Sequence, residues 1–159
     1  MSKIENNLKQ AGIVLPTPAA PVANYVGAVI CGNLLVISGQ LCLGANGAVD
    51  SAHQGKLGDT VSLEVGQAAA RLCAINLLAQ AKLALGGNLD RLRRCVRLGG
   101  FINATPTYEA IPQVMNGASD MMVKAMGDSG RHARSTVGVA QLPLNCAVEV
   151  EGMFEIAPE

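Results

Sequence analysis

The sequence predicts an α+β fold, a mixed β-sheet with two long helices covering one face, and three observations carry that expectation. Alternating residues flank turn signals near both ends of the chain, over 26–38 and 134–151, as half-buried strands require. Between them lie two long segments, 62–85 and 112–126, whose apolar residues suit the buried side of a helix. A further strand-like run, 92–102, separates the two helices. The resulting order, ββ(β)αβαββ, places the helices together on one side of the sheet. At 159 residues the chain can bury one core, so residues 1–159 are expected to form a single domain.

Residues 2–11 mix polar and apolar side chains and stop at Gly12, which suits a short helix. Pro16, Pro18 and Pro21 then impose an extended lead-in, because a proline restricts the residue before it. The first strand is expected over 26–31. Gly32-Asn33 is a two-residue turn signal, and 34–38 returns beside it, ending at Ser38-Gly39-Gln40. Residues 41–58 are glycine-rich and read as a loop around a short strand. Asp59, Thr60 or Ser62 is placed to cap the helix over 62–85, which stops at Gly86-Gly87. Its early polar face is Glu64, Gln67 and Arg71. Cys95, Val96, Leu98 and Phe101 are the apolar members of strand 92–102. Pro112 suits the first turn of the second helix, and Val114, Met115, Ala118, Met121 and Met122 form its apolar stripe. Gly127-Asp128-Ser129-Gly130 stops that helix and delivers the chain to Arg134. In the last two strands Val137 and Val139, and likewise Val148 and Val150, are expected to face the core. That leaves Arg134, Thr136, Glu149 and Glu151 together on a polar face.

Composition excludes several classes. Twelve basic residues cancel twelve acidic ones, whereas a surface that holds phosphate backbones shows a basic excess. Base stacking needs several rings on one surface, and the rings here are only Tyr25, Tyr108, Phe101 and Phe154. Nucleic acid is therefore not an expected partner. Half of the residues are apolar and only 15% are charged, so part of the surface is expected to be covered by copies of the same chain. Cys31, Cys42, Cys73, Cys95 and Cys146 are odd in number and never form C-x-x-C, which argues against disulfides and zinc and for reduced core thiols. The start, Met1-Ser2-Lys3-Ile4-Glu5, has no apolar run, and the most apolar segment, 68–85, contains Arg71, Asn76, Gln80 and Lys82. Neither a secretory signal nor a membrane span is expected, and the expected location is cytoplasmic.

Chemistry concentrates in the last two strands. Arginine offers a planar fork for a carboxylate, and a nearby glutamate can handle protons, so Arg134 and Glu149 are the candidate pair. A surface ion pair is the alternative reading of the same two residues. His53, Asp90 and Ser129 follow the chain order of a known catalytic triad, but two long helical patterns leave no room for the double β-barrel that triad needs. Neither histidine has a partner at metal-ligand spacing, so no metal is expected. His132, two residues before Arg134, is placed to border a cleft.

Arg134-Ser135-Thr136-Val137-Gly138-Val139-Ala140-Gln141-Leu142-Pro143, followed by Val148-Glu149-Val150-Glu151, resembles the C-terminal signature of the YjgF/YER057c/UK114 family, the Rid reactive-imine deaminases. An older label for that family is L-PSP endoribonuclease. Tyr25 followed by Ser38-Gly39-Gln40 resembles the family's N-terminal hairpin, and Gln67 with Asn76 its first long helix. Asn116 resembles an asparagine that the family carries early in the second helix. The resemblance implies a chorismate-mutase-like fold: a homotrimer whose sheets line a central barrel, with helices outside and clefts between subunits. It also implies hydrolysis of 2-imino or 2-enamino acids to 2-keto acids and ammonia, without a cofactor. An imine carbon is already electrophilic, so no metal or strong nucleophile is needed. On that basis Arg134 would grip the substrate carboxylate and Glu149 would orient or deprotonate water. Tyr25, Ser38, Gly39, Asn116 and Thr136 would complete the substrate site. Thr136 stands where many members carry cysteine. The chain is longer than short members in its N-terminal extension, residues 1–22, and across 41–58 and 99–112, so these loops are expected to reshape the cleft. A non-catalytic trimer that binds small carboxylates and an endoribonuclease remain as rival readings.

Overall fold

Five strands form one sheet: β1 (Ala28–Cys31), β2 (Leu34–Leu41), β3 (Leu92–Asn103), β4 (Ala133–Val139) and β5 (Val148–Ile156), in the order β1-β2-β5-β3-β4. The structure is a computed structural model and describes residues 3–18 and 23–158. β3 and β4 run parallel and the other neighbours antiparallel. A parallel pair requires a crossover. Two helical segments, α3 (Ile111–Val114) and α4 (Asn116–Met126), supply it. The remaining helices are α1 (Lys3–Gln10) and α2 (Leu63–Ala84).

α2 forms where expected and is capped by Ser62, whose hydroxyl accepts from the Val65 amide at 3.3 Å. It lies against the sheet through Ala70, Cys73, Ala74, Leu77 and Ala81, all fully buried. Small side chains let the helix approach closely, and Leu35, Ile37, Leu98, Val150 and Phe154 fill the core from the sheet side. α4 crosses α2 with no gap. A Cβ on Gly117 would stand 2.0 Å from the Gln67 carbonyl oxygen, so only glycine fits there. Along β5, Val148, Val150, Gly152, Phe154 and Ile156 are buried while Glu149, Glu151, Met153 and Glu155 are half-buried. The second set looks away from the helices, onto an open sheet face that also exposes Val29, Val36 and Val137.

Several expectations are corrected. The second long helix is two, separated at Met115, whose carbonyl takes amides from both Ala118 and Ser119. The apolar stripe continues across the break, which is why the sequence showed one helix. Beyond Leu41, the end of β2, residues 42–58 contain no strand; isolated bridges such as Leu43 to Val49 and Gln54 to Cys146 pin the loop instead. β1 begins at Ala28, and β2 continues through Ser38-Gly39-Gln40 to Leu41 with an irregular register between Ile37 and Gln40. Cys31 is exposed at the hairpin and is not a core thiol, whereas the other four cysteines are buried. Ser2 and Pro21, parts of the expected first helix and lead-in, lie outside the described residues.

The largest correction concerns β4. Residues paired across a sheet point the same way, and successive residues alternate. Arg134 pairs with Leu98 and Thr136 with Gly100, on the helix side, while Val137 pairs with Phe101 on the open side. Val137 is 49% exposed and is not in the core. The helix side of this edge strand is tightly covered: a Cβ on Gly138 would meet Ile111 Cδ1 at 2.9 Å. Val139 is partly buried and packs against the core, so the expectation fails at Val137 and holds at Val139. Alternation alone shows two faces without saying which is inside.

Candidate functional site

The predicted site residues fall into two groups on opposite faces of the sheet. Glu149 pairs with Phe101, whereas Arg134 pairs with Leu98, three residues earlier on β3. No register shift intervenes, so the two side chains point to opposite sides. The expectation of one shared polar face is therefore wrong within a single chain, and so is the surface ion pair between them.

The arginine group gathers β4 and the start of the second helical layer. Arg134 Nη1 donates to Asn116 Oδ1 and to Ser119 Oγ, each at 3.1 Å, and Nη2 donates to the Pro112 carbonyl oxygen at 3.1 Å. A guanidinium has five N–H groups. Nε–H and one hydrogen on Nη2 keep no partner among the described residues, so the half-buried group retains donors for a carboxylate. Asn116 reaches this position because α4 starts there. Ser119 was missed from sequence, although it stands three residues on and so shares the helix face of Asn116. Thr136 lies on the same side of β4, and its Oγ1 is buried without a hydrogen-bond partner among the described residues. His132 stands behind Ser119, with Nε2 3.0 Å from the hydroxyl.

The glutamate group gathers β5 and β2. Glu149 lies over the backbone of Gly39, where an added Cβ would fall 2.0 Å from Oε1. Glycine is thus required for the carboxylate to settle there. Ser38 turns its hydroxyl to the Val26 carbonyl oxygen at 2.7 Å, tying β2 to the segment that carries the exposed Tyr25. Gln40 donates from Nε2 to the Ser38 and Gly39 carbonyls at 2.9 and 3.3 Å, so the irregular Ser-Gly-Gln stretch of β2 is held from within. Glu149 has no hydrogen-bond or ion-pair partner among the described residues. Burial raises its pKa, and the charge of Glu151 adds to the rise.

Other candidates do not assemble. His53, Asp90 and Ser129 share no hydrogen bond among the described residues; Ser129 donates to the Met126 carbonyl oxygen at 2.9 Å. Cys73 and Cys146 both donate to the Val148 carbonyl oxygen, at 3.3 and 3.5 Å, and burial holds the Cys73 thiol above its ordinary range. Among the described residues no group of three or more His, Cys, Asp or Glu is placed to hold a metal ion, and no helix is long and apolar enough to cross a membrane. A concavity of about 460 Å³ between α1, the segment after it and Lys82 contains none of the predicted site residues.

Residues 5–156 match the family described as "YjgF/chorismate_mutase-like, putative endoribonuclease". Protein TCP17 of Trypanosoma cruzi is 44% identical over 155 residues, covering 97% of this chain and 94% of that protein. A protein of Dermatophagoides farinae named 2-iminobutanoate/2-iminopropanoate deaminase is 32% identical over 145 residues, covering 90% of this chain and 95% of its own. Among solved structures, protein Atu1372 of Agrobacterium tumefaciens, described as of unknown function, superposes with a TM-score of 0.88 at 43% identity, covering 98% of this chain and 93% of that one.

Proposed function

Because this chain belongs to the YjgF/chorismate mutase-like family, we propose that it hydrolyses 2-imino and 2-enamino acids to 2-keto acids and ammonia, in clefts shared between the subunits of a homotrimer. The observation that carries this reading is the state of Arg134. Three protein acceptors fix the guanidinium before any ligand arrives, and two N–H groups remain for a carboxylate. Glu149 is the complementary group: a half-buried carboxylate, unpartnered among the described residues, with a raised pKa, suited to accept a proton.

Arg134 holds the substrate carboxylate, and Glu149 takes a proton from water as its oxygen bonds to the imine carbon. The C=N bond of the protonated imine becomes a C–N single bond, giving a neutral amino alcohol. Glu149 returns its proton to nitrogen and takes up the proton of the new hydroxyl, so ammonia leaves as the C=O bond forms. No cofactor enters this sequence, since the imine carbon is the electrophile throughout. The relative named as an imine deaminase supports this reaction class.

The opposite faces support sharing between subunits. One chain presents Arg134, Asn116 and Thr136 on the helix side and Glu149 with Gly39 on the open side, so a second copy would bring the other half. The exposed Val29, Val36 and Val137 form apolar surface on the open side that such copies would cover. The family description also carries the word endoribonuclease. The chain's zero formal charge disfavours that activity.

The deciding experiment generates imines in situ from several amino acids with an amino-acid oxidase and follows their hydrolysis. Faster release of 2-keto acid in the presence of the protein is expected. An unchanged rate for every imine would overturn the proposal.

A further inference from the structure

We propose that Ser119 and His132 are positioning residues that hold the Arg134 guanidinium in one orientation through a hydrogen-bond chain of fixed direction. The inference rests on the reading of Arg134 as a carboxylate anchor and adds what keeps that anchor still.

The direction follows from a proton inventory. A guanidinium only donates, so Arg134 Nη1 gives a hydrogen to Ser119 Oγ at 3.1 Å. At the far end, His132 Nδ1 lies 2.6 Å from the Gly130 carbonyl oxygen, which only accepts, so Nδ1 carries a proton. In the neutral ring Nε2 is then an acceptor, and the Ser119 hydroxyl, 3.0 Å away, donates to it. Burial favours the neutral ring most, the hydrogen bond to Gly130 opposes it, and the nearby positive charge of Arg134 acts with burial, so the ring's pKa is lowered on balance. Every joint therefore points one way: Arg134 to Ser119, Ser119 to His132, His132 to Gly130.

Packing makes this chain stiff. Ser119 belongs to α4, and Gly130 is pressed against the same helix, where an added Cβ would meet the Met122 carbonyl oxygen at 2.3 Å. Both ends of the relay rest on one rigid body. Arg134 itself extends from an edge strand, half-exposed, on a long side chain. Without Ser119 it would keep only Asn116 and the Pro112 carbonyl, and the entropy of holding the fork would fall on ligand binding. Neither Ser119 nor His132 bonds the N–H groups left for a ligand, so both act through the arginine.

The chain contains two histidines, which makes the ring states separable. Nitrogen-15 NMR of the full-length protein near pH 7, with His53→Gln to assign His132, should show His132 neutral with its proton on Nδ1. A proton on Nε2, or a charged ring, would overturn the relay. Two further readouts test positioning. In Ser119→Ala the Arg134 Nε–H resonance should lose the order it shows in the wild type, and Ser119→Thr should restore it. Calorimetry with pyruvate should show roughly tenfold weaker binding for Ser119→Ala, near recovery for Ser119→Thr and a smaller loss for His132→Phe. An unchanged Nε–H signal together with equal affinities would reject the positioning role. If wild-type protein binds no pyruvate, the anchor reading fails while the Arg134 signal still decides the relay.

Discussion

Arg134 and Glu149 sit in opposite circumstances. The arginine has three protein acceptors and is held between β4 and the second helical layer. The glutamate has no bonded partner among the described residues, is half-buried, and has an acidic neighbour, Glu151, that raises its pKa further. The difference separates two kinds of work. A binding group gains by being fixed in advance, because the ligand then does not supply the ordering entropy. A proton acceptor gains by being left unsatisfied, because a partner would stabilise the ionised form and weaken it as a base. Satisfaction at one end and its absence at the other are what the proposed hydrolysis would require.

The largest loss is expected at Glu149. Glu149→Gln keeps the shape over Gly39 and removes the base, so turnover of an imine should fall by ~10²–10⁴ while pyruvate affinity changes little. Wild-type turnover should also decline on the acid side at a pH above the ordinary glutamate range, since burial and Glu151 raise the pKa. Unchanged turnover would mean that another group activates the water.

At the arginine the expected loss is in binding. Arg134→Ala should weaken 2-keto acid affinity by about 2–5 kcal/mol where the pair is desolvated. Arg134→Lys keeps the charge but loses the planar fork, and the Asn116, Ser119 and Pro112 contacts were built around that fork, so its loss should be clear but smaller. Calorimetry with pyruvate and 2-ketobutyrate measures the series, with light scattering to check that assembly is unaltered. Equal affinities would remove the anchor.

A third test sharpens the geometry. With the two groups on opposite faces, Arg134→Ala and Glu149→Gln would lie in different halves of the proposed shared site. Each variant alone should be poorly active, and chains refolded together in equal amounts should recover roughly a quarter of wild-type turnover, the share of interfaces that pair two intact halves. A site built within one chain would recover nothing.

Much of this was legible in the sequence because the signals were local. Ser62 capping α2, the double-glycine stop after it and the Gly32-Asn33 hairpin depend on neighbours a few residues away. The family signature placed Arg134, Glu149, Gly39 and Asn116 as candidates, and the structure joins Arg134 to Asn116 and Glu149 to Gly39. What stayed hidden depends on partners far along the chain. Which face of β4 is inside follows from its pairing with β3 and from Ile111 lying over Gly138. The break at Met115 leaves the apolar stripe intact, and Ser119 carries no pattern of its own until Arg134 and His132 arrive beside it.

The smallest predicted effect comes from the unsatisfied end itself. A carboxyl whose pKa is raised by folding binds its proton more tightly in the native state than in the unfolded chain. The stability it contributes is fully present below the unfolded glutamate pKa and is lost as pH rises through the higher folded value. At neutral pH ionised Glu149 therefore weighs against the fold, because burial and Glu151 both oppose the charge. Arg97, 3.6 Å from Glu151, offsets part of that repulsion, so the effect is modest. Glutamine imitates the protonated acid. Glu149→Gln should melt slightly above wild type at pH 7, and the gap should close as pH falls below the unfolded glutamate pKa. Thermal unfolding of both proteins across that range measures it. A variant that melts lower than wild type at pH 7 would mean that Glu149 has a stabilising partner in the assembled protein, and the contrast between a satisfied arginine and an unsatisfied glutamate would no longer hold.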